Sequence, residues 1–219
     1  MKIGTDAVLL GVWAPLHHPF SILDIGAGTG IIALILAQRS GSQQIDALEI
    51  DEDAYEECVE NFENSPWNDS LFCYHAAFDE FVEEMNEEKY DLIIANPPFY
   101  TESYFSANEK RDTARFTYAL PFEELIAGAS QLLSETGIFC VIIPYKSEAE
   151  FISLAQSCQL FPSKITRVKG NPDSEIKRSL LAFSKAEQPI ISDLLIIETS
   201  RHQYTPEYIT LTKDFYLNL

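Results

Sequence analysis

A chain of 219 residues, 46% of them hydrophobic, can bury a full core as one domain without disulfides or metals, and this composition excludes a disordered chain. No signal-peptide run and no stretch long enough to span a bilayer is present, so the sequence reads as a soluble, cytoplasmic protein with no membrane partner. The formal charge of −19 repels nucleic acid at long range, and any nucleic-acid partner must dock on the less acidic part of the chain.

That part is residues 110–185, with 10 Lys or Arg against 8 Asp or Glu; the remainder carries 5 against 26. The acids concentrate in "EIDEDAYEECVENFE" and "DEFVEEMNEEKYD", the pattern of two solvated helix faces. Cys58, Cys73, Cys140 and Cys158 are scattered, without metal-ligand spacing, and read as reduced thiols.

In chain order, "SILDIGAG" predicts a buried strand over 22–25 and "GIIALILAQRS" a packed helix. "QQIDALEID" is a second strand, followed by an acidic amphipathic helix to about residue 62. "LFCYHAA" is the third strand, with a short helix over 80–85, and "YDLIIANPPF" the fourth. "PFEELIAGASQLLSETG" predicts a helix closed by Gly137, "IFCVIIP" the fifth strand, and "SEAEFISLAQSCQL" a helix opened by Ser147 with Glu150 at capping-box spacing. This alternation implies parallel strands with helices on both faces. "SKITRVKG" and "KRSLLAFSKA" leave no room for a helix between them and should pair antiparallel; "DLLIIETS" is a further strand and "PEYITLTKDFYLNL" a terminal helix.

"DIGAGTG" sets Gly26, Gly28 and Gly30 between a strand and a helix, where glycines permit a tight turn and close approach of a ligand, or serve packing alone. Glu49, about 20 residues onward, ends the second strand where an acid can bind ribose hydroxyls. Together these features resemble the class I S-adenosylmethionine-dependent methyltransferases. The resemblance implies a Rossmann-like α/β fold with a seven-stranded, mostly parallel sheet whose last strand is antiparallel. It implies S-adenosylmethionine as cofactor, with its amino-acid part at the Gly loop, Asp24 orienting that loop, Glu49 on the ribose, and Phe78 or Asp79 beside the adenine.

In such enzymes the fourth strand ends at the methyl-acceptor site, which gives "NPPF" a chemical reading. The amide oxygen of Asn96 and the proline-fixed carbonyl of Pro97 can accept both hydrogens of an exocyclic amino group and favour its nucleophilic form. Phe99 offers a flat face, and stacking on it is worth about 1–3 kcal/mol. The motif fits adenine N6, guanine N2 or a protein glutamine.

"KIGTDAVLLGVWA", "NSPW", "NPPFY", "RSLLAFS" and "DFYLNL" narrow this, because over nearly the whole chain they resemble the tRNA1(Val) adenine-37 N6-methyltransferases. Members of that family usually carry a short segment before "KIGTD", and here the chain opens inside the motif. The resemblance implies one methyltransferase domain over 1–219, with an N-terminal motif (1–20), a core (21–185) and a C-terminal extension (186–219), acting on tRNA. Lys2 and Thr5 then lie over the cofactor pocket with Asp6, although Thr5 or Asp6 also reads as a helix cap. Lys110, Arg111, Arg115, Lys164, Arg167, Lys169, Lys177 and Arg178 are candidates for phosphate contacts. A glutamine N5-methyltransferase suits the same Asn-Pro-Pro site but usually carries an N-terminal helical docking domain. A non-catalytic cofactor-binding scaffold has no need of both Asn96 and the Gly loop.

Overall fold

The computed structural model describes residues 4–98 and 120–216. α1 (Thr5–Trp13) precedes an alternating run of β1 (Ser21–Ile25), α2 (Ile31–Ser40), β2 (Gln44–Glu49), α3 (Glu52–Glu63), β3 (Leu71–His75), α4 (Phe78–Glu84) and β4 (Tyr90–Ala95). After residue 120 come α5 (Phe122–Leu132), β5 (Leu133–Pro144), a 3-10 turn (Tyr145–Ser147) and α6 (Glu148–Ser157). β6 (Phe161–Lys169), β7 (Ile176–Ser184), β8 (Ile191–Ile196), a small hairpin of β9 (Glu198–Ser200) and β10 (Gln203–Tyr204), and α7 (Pro206–Thr212) complete it.

The strands lie in the order β3-β2-β1-β4-β5-β7-β6-β8. β1 to β5 pair in parallel, while β7 runs antiparallel to both β5 and β6. Side chains alternate across the sheet, so Ile22 joins a core beneath α1, α2 and α3, whereas Leu23 and Ile25 join the opposite core beneath α4, α5 and α6. The acids of α3 point away from its buried Ala54, Cys58 and Phe62, as its amphipathic pattern requires.

Several local expectations are corrected. Among the described residues the expected seven strands are joined in one sheet by the expected C-terminal strand, since the "DLLIIETS" segment docks as β8 parallel to β6, burying Leu195 in the α1-side core. α5 stops at Leu132, and Gly137 lies inside β5 rather than capping a helix. There a Cβ would sit 2.9 Å from the Tyr90 carbonyl oxygen, so the glycine answers a close backbone approach. At this point β4 advances from Tyr90 to Leu92 while β5 advances from Leu133 to Ile138, an irregularity the helical periodicity had hidden. Ser147 does precede α6 but makes no side-chain cap hydrogen bond, and Gly4 rather than Thr5 or Asp6 is the N-cap of α1. α4 begins at Phe78, two residues before the expected start. α7 is capped instead by Thr205, whose hydroxyl accepts from the Tyr208 amide at 3.2 Å.

The order reverses between β1 and β4, which opens a crevice at their carboxyl ends. Because β7 is antiparallel, its first residues and the last residues of β6 share that rim: Arg178 lies opposite Pro144 of β5 and Val168 of β6.

Candidate active site

The Gly loop leaves β1 as a series of left-handed turns. Gly26 has φ +70° and is exposed, and a Cβ built on it meets nothing within 4 Å. Among the described residues that side of the loop is open. Gly30 has φ +77° and the opposite surroundings: a Cβ there would lie 2.5 Å from Phe62 Cε1 and 2.7 Å from Cys58 Sγ. It lets the loop settle onto α3, where Asn61 Nδ2 donates to the Thr29 carbonyl at 2.9 Å.

Glu49 ties this loop to the next one. One carboxylate oxygen accepts from the Gly28 amide at 2.7 Å, and the other from the Ile50 and Asp51 amides at 2.8 and 2.9 Å. A carboxylate offers about four acceptor positions, so three are taken and about one remains for a ribose hydroxyl. Beneath the loop Asp24 is fully buried, with Oδ2 accepting from the Ala33 amide at 3.2 Å and Oδ1 without a hydrogen-bond partner among the described residues. Burial, aided by the Glu49 charge and opposed by the Ala33 hydrogen bond, pushes its carboxyl from 3.8 up to about 7.

Asn96 follows the last residue of β4, Ala95, which pairs with Ile25 at the end of β1. The structure therefore brings Asn96 beside the Gly loop. Asn96 is half-buried, Pro97 buried and Pro98 exposed. Phe99, Lys2, Lys110, Arg111 and Arg115 lie outside the described residues.

Of the two candidates after β3, the Phe78 ring is core: a Cβ on Gly128 of α5 would lie 2.5 Å from its Cε1. Only Asp79, exposed in the first turn of α4, offers its side chain to a ligand. Thr5 is exposed at the start of α1. Asp6 accepts from Arg178 Nε at 2.7 Å, an ion pair that fastens this end of α1 to the rim.

The basic candidates divide. Arg178 is engaged with Asp6, Lys164 Nζ lies 4.5 Å from the Trp13 ring centroid, and Arg167 is gripped by Glu148 at 2.6 Å. Lys169 Nζ reaches only the Pro172 carbonyl at 3.3 Å, and Lys177 is exposed. The hairpin tip thus supplies the two accessible cations of this group, both on the rim. Sequence reading missed Asn61 and Glu148, each of which looks like an ordinary helix-surface residue until its partner is known, and it gave Asp6 a place over the pocket without its Arg178 partner.

A cleft of about 360 Å³ at the other end of the sheet, lined by Pro15, His17, His18, Asp91 and Thr136, holds none of these groups. Its acid is already occupied, since Asp91 accepts from the Phe20 amide and the Ser134 hydroxyl.

A glycine crevice with a ribose-competent acid and an Asn-Pro-Pro strand exit belongs to methyl transfer, and comparison with known proteins agrees. The model of the methyltransferase small domain family matches residues 3–162. The chain belongs to that family. Its curated relatives include the tRNA1(Val) (adenine(37)-N6)-methyltransferase of Flavobacterium johnsoniae, 66% identical over all of this chain and 94% of that protein. The enzyme of the same name from Bacteroides fragilis is 42% identical over all of this chain and 92% of its own length. Among solved structures, a predicted O-methyltransferase from Agrobacterium tumefaciens shares the fold with a TM-score of 0.72 at 21% identity, covering 95% of this chain and 96% of that one.

S-adenosylmethionine, the methyl donor of this methyltransferase family, meets fitting groups. Its amino-acid part carries an ammonium, and the Asp24 carboxyl, with one oxygen unpartnered among the described residues, is a buried acceptor two residues before Gly26 that becomes anionic as pH rises through about 7. Glu49, with about one acceptor position left, would hold its ribose diol.

Proposed function

We propose that this methyltransferase acts in the cytoplasm, as one domain over residues 1–219, on the N6 atom of adenine 37 in tRNA1(Val). The observation that carries the reading is the adjacency of Asn96 to the Gly loop across the β1–β4 pairing, which sets an amine-binding amide beside the donor crevice. The high identity to relatives named for this reaction supports the choice of substrate.

Bound S-adenosylmethionine supplies an electrophilic methyl on its sulfonium. The chain supplies position and polarity. Asn96 Oδ1 and the Pro97 carbonyl each accept one N6 hydrogen, turning the nitrogen lone pair out of conjugation and toward the methyl. Pro97 and Pro98 hold that carbonyl still through their fixed φ. Phe99 stacks on the ring. Transfer would break the S–CH3 bond as the N–CH3 bond forms, with the neutral thioether S-adenosylhomocysteine as leaving group, and N6, then positively charged, would lose a proton to water, so no strong base is required. An anticodon-loop adenine is already partly unstacked, and extracting it costs a few kcal/mol at most. Asp24, Gly26, Gly28, Gly30, Glu49 and Asp79 hold the donor, and Lys2 and Thr5 contribute to its binding. Lys169 and Lys177 contact tRNA phosphates.

The test is methyl transfer from labelled S-adenosylmethionine to tRNA lacking N6-methyladenine, followed by nucleoside mass spectrometry. N6-methyladenosine in tRNA1(Val) is the expected product. Label on a protein glutamine and none on RNA would replace this reading with glutamine N5 methylation.

A further inference from the structure

The rim carries an aromatic group that the methyl-transfer chemistry leaves unused. Tyr145 opens the 3-10 turn after β5 and is 41% exposed. Its ring is backed by a cation, the Arg167 guanidinium carbon lying 5.8 Å from the ring centroid. That cation is held in place. Arg167 Nε donates to both oxygens of Glu148 at 3.2 and 3.1 Å, and Nη2 donates to Oε1 at 2.6 Å. Glu148 is itself 8% exposed and takes another hydrogen bond from the Ser179 hydroxyl at 2.5 Å. A fork-on-carboxylate contact with one partner buried fixes the guanidinium plane.

An exposed ring on a fixed guanidinium is a stacking surface with the chemistry of single-stranded nucleic-acid sites, where every base offers a π-face. Its place agrees. β5 pairs with β4 with Ala95 facing Val141, so Asn96 and the Tyr145 turn leave neighbouring strands on one rim, Tyr145 standing about three residues further along, roughly 10 Å of extended chain. A base next to the target reaches that ring when it is unstacked from its neighbour, as in an open loop. Lys146 beside the ring and Lys177 on β7 are exposed, in the part of the chain that is not net acidic.

We propose that Tyr145, set on Arg167 and Glu148, is a stacking platform for the unpaired RNA base adjacent to the target adenine. The proposal rests on the RNA reading above and names the contact that selects an open loop over a duplex. Tyr145 does not touch the reacting atoms; it positions the loop.

The test uses the full chain and the unmodified anticodon stem-loop of tRNA1(Val), with Tyr145→Ala and Tyr145→Phe. RNA affinity is read by filter binding, KM and kcat by methyl transfer, and cofactor affinity by calorimetry. Tyr145→Ala should raise the RNA Kd and KM roughly ten-fold or more, with cofactor affinity unchanged, while Tyr145→Phe stays within about two-fold of wild type. A stem-loop with an abasic nucleotide on one side of the target should weaken the wild type by the same factor and weaken Tyr145→Ala no further. An RNA Kd for Tyr145→Ala within about two-fold of wild type overturns the platform. A wild type that binds the stem-loop without forming N6-methyladenosine overturns the proposed reaction instead, and the Kd series still decides Tyr145. A wild type that does not bind the stem-loop overturns both.

Discussion

Asp24 shows how a single residue can be poised for a ligand at the expense of stability. Its carboxyl is raised from 3.8 to about 7 in the folded chain, chiefly by burial, so the folded state keeps a proton that the unfolded state has released. Stability from this group is therefore greatest below about pH 4, falls as pH rises, and is level again above about pH 7. The loss is roughly 3–6 kcal/mol. Asp24→Asn, which keeps an acceptor for the Ala33 amide, should unfold at a higher temperature than wild type at pH 8 and show a flatter profile between about pH 4 and pH 7. The same substitution should weaken S-adenosylmethionine binding by about ten-fold, because the anion that meets the ammonium is gone. In the wild type, cofactor affinity measured by calorimetry should improve as pH rises through about 7, where Asp24 ionises. Asn96→Ala belongs to the other half of the site: turnover should fall by about 10²–10³ with cofactor affinity retained. A near-normal rate would remove Asn96 from the mechanism.

At the scale of elements, the junctions between strands and helices carry the site. Gly30 joins the loop to α2 in a left-handed conformation while α3 presses against it. Gly30→Ala must bear both the left-handed backbone, about 1–2 kcal/mol, and the displacement of Phe62 and Cys58, about 1–3 kcal/mol. Urea denaturation should show a loss of about 2–5 kcal/mol, together with weakened cofactor binding. Glu49 spans two such junctions, holding Gly28 on one side and the turn into α3 on the other. The α1 end is fastened differently, by Asp6 to Arg178 near the start of β7, which ties the N-terminal motif to the late "RSLLAFS" strand.

Over the whole molecule, a charge of −19 makes binding of any polyanion local. The acids of α3 and α4 are turned outward, and the accessible cations of the β6–β7 hairpin stand on the rim with the site. Reversing Lys169 and Lys177 to Glu should weaken tRNA binding and reduce the slope of log K against log salt by about 1–2, with cofactor binding unaffected. Unchanged affinity in that double variant would move the tRNA to another face. Reversing Arg178 is a poorer probe, since it also places a like charge against Asp6.

The succession of strands and helices, the Gly loop, the acid Glu49 ending β2 and the Asn-Pro-Pro exit of β4 were legible in the amino-acid sequence, because each is a contiguous stretch whose chemistry is local: glycines at left-handed turns, an acid at a strand end, prolines that lock a carbonyl. The fates of the charged side chains were not. Arg178 meets an aspartate 172 positions away, Arg167 a glutamate 19 positions away, and Lys164 a tryptophan at the far end of the chain. Gly137 looked like a helix stop for the same reason, its true constraint being the Tyr90 carbonyl on the neighbouring strand. The sequence by itself determined the fold class and the chemistry at the carboxyl ends of the strands. Only the tertiary structure decided which cations remain exposed on the rim, because pairing depends on which residues the crossovers carry together rather than on residue type.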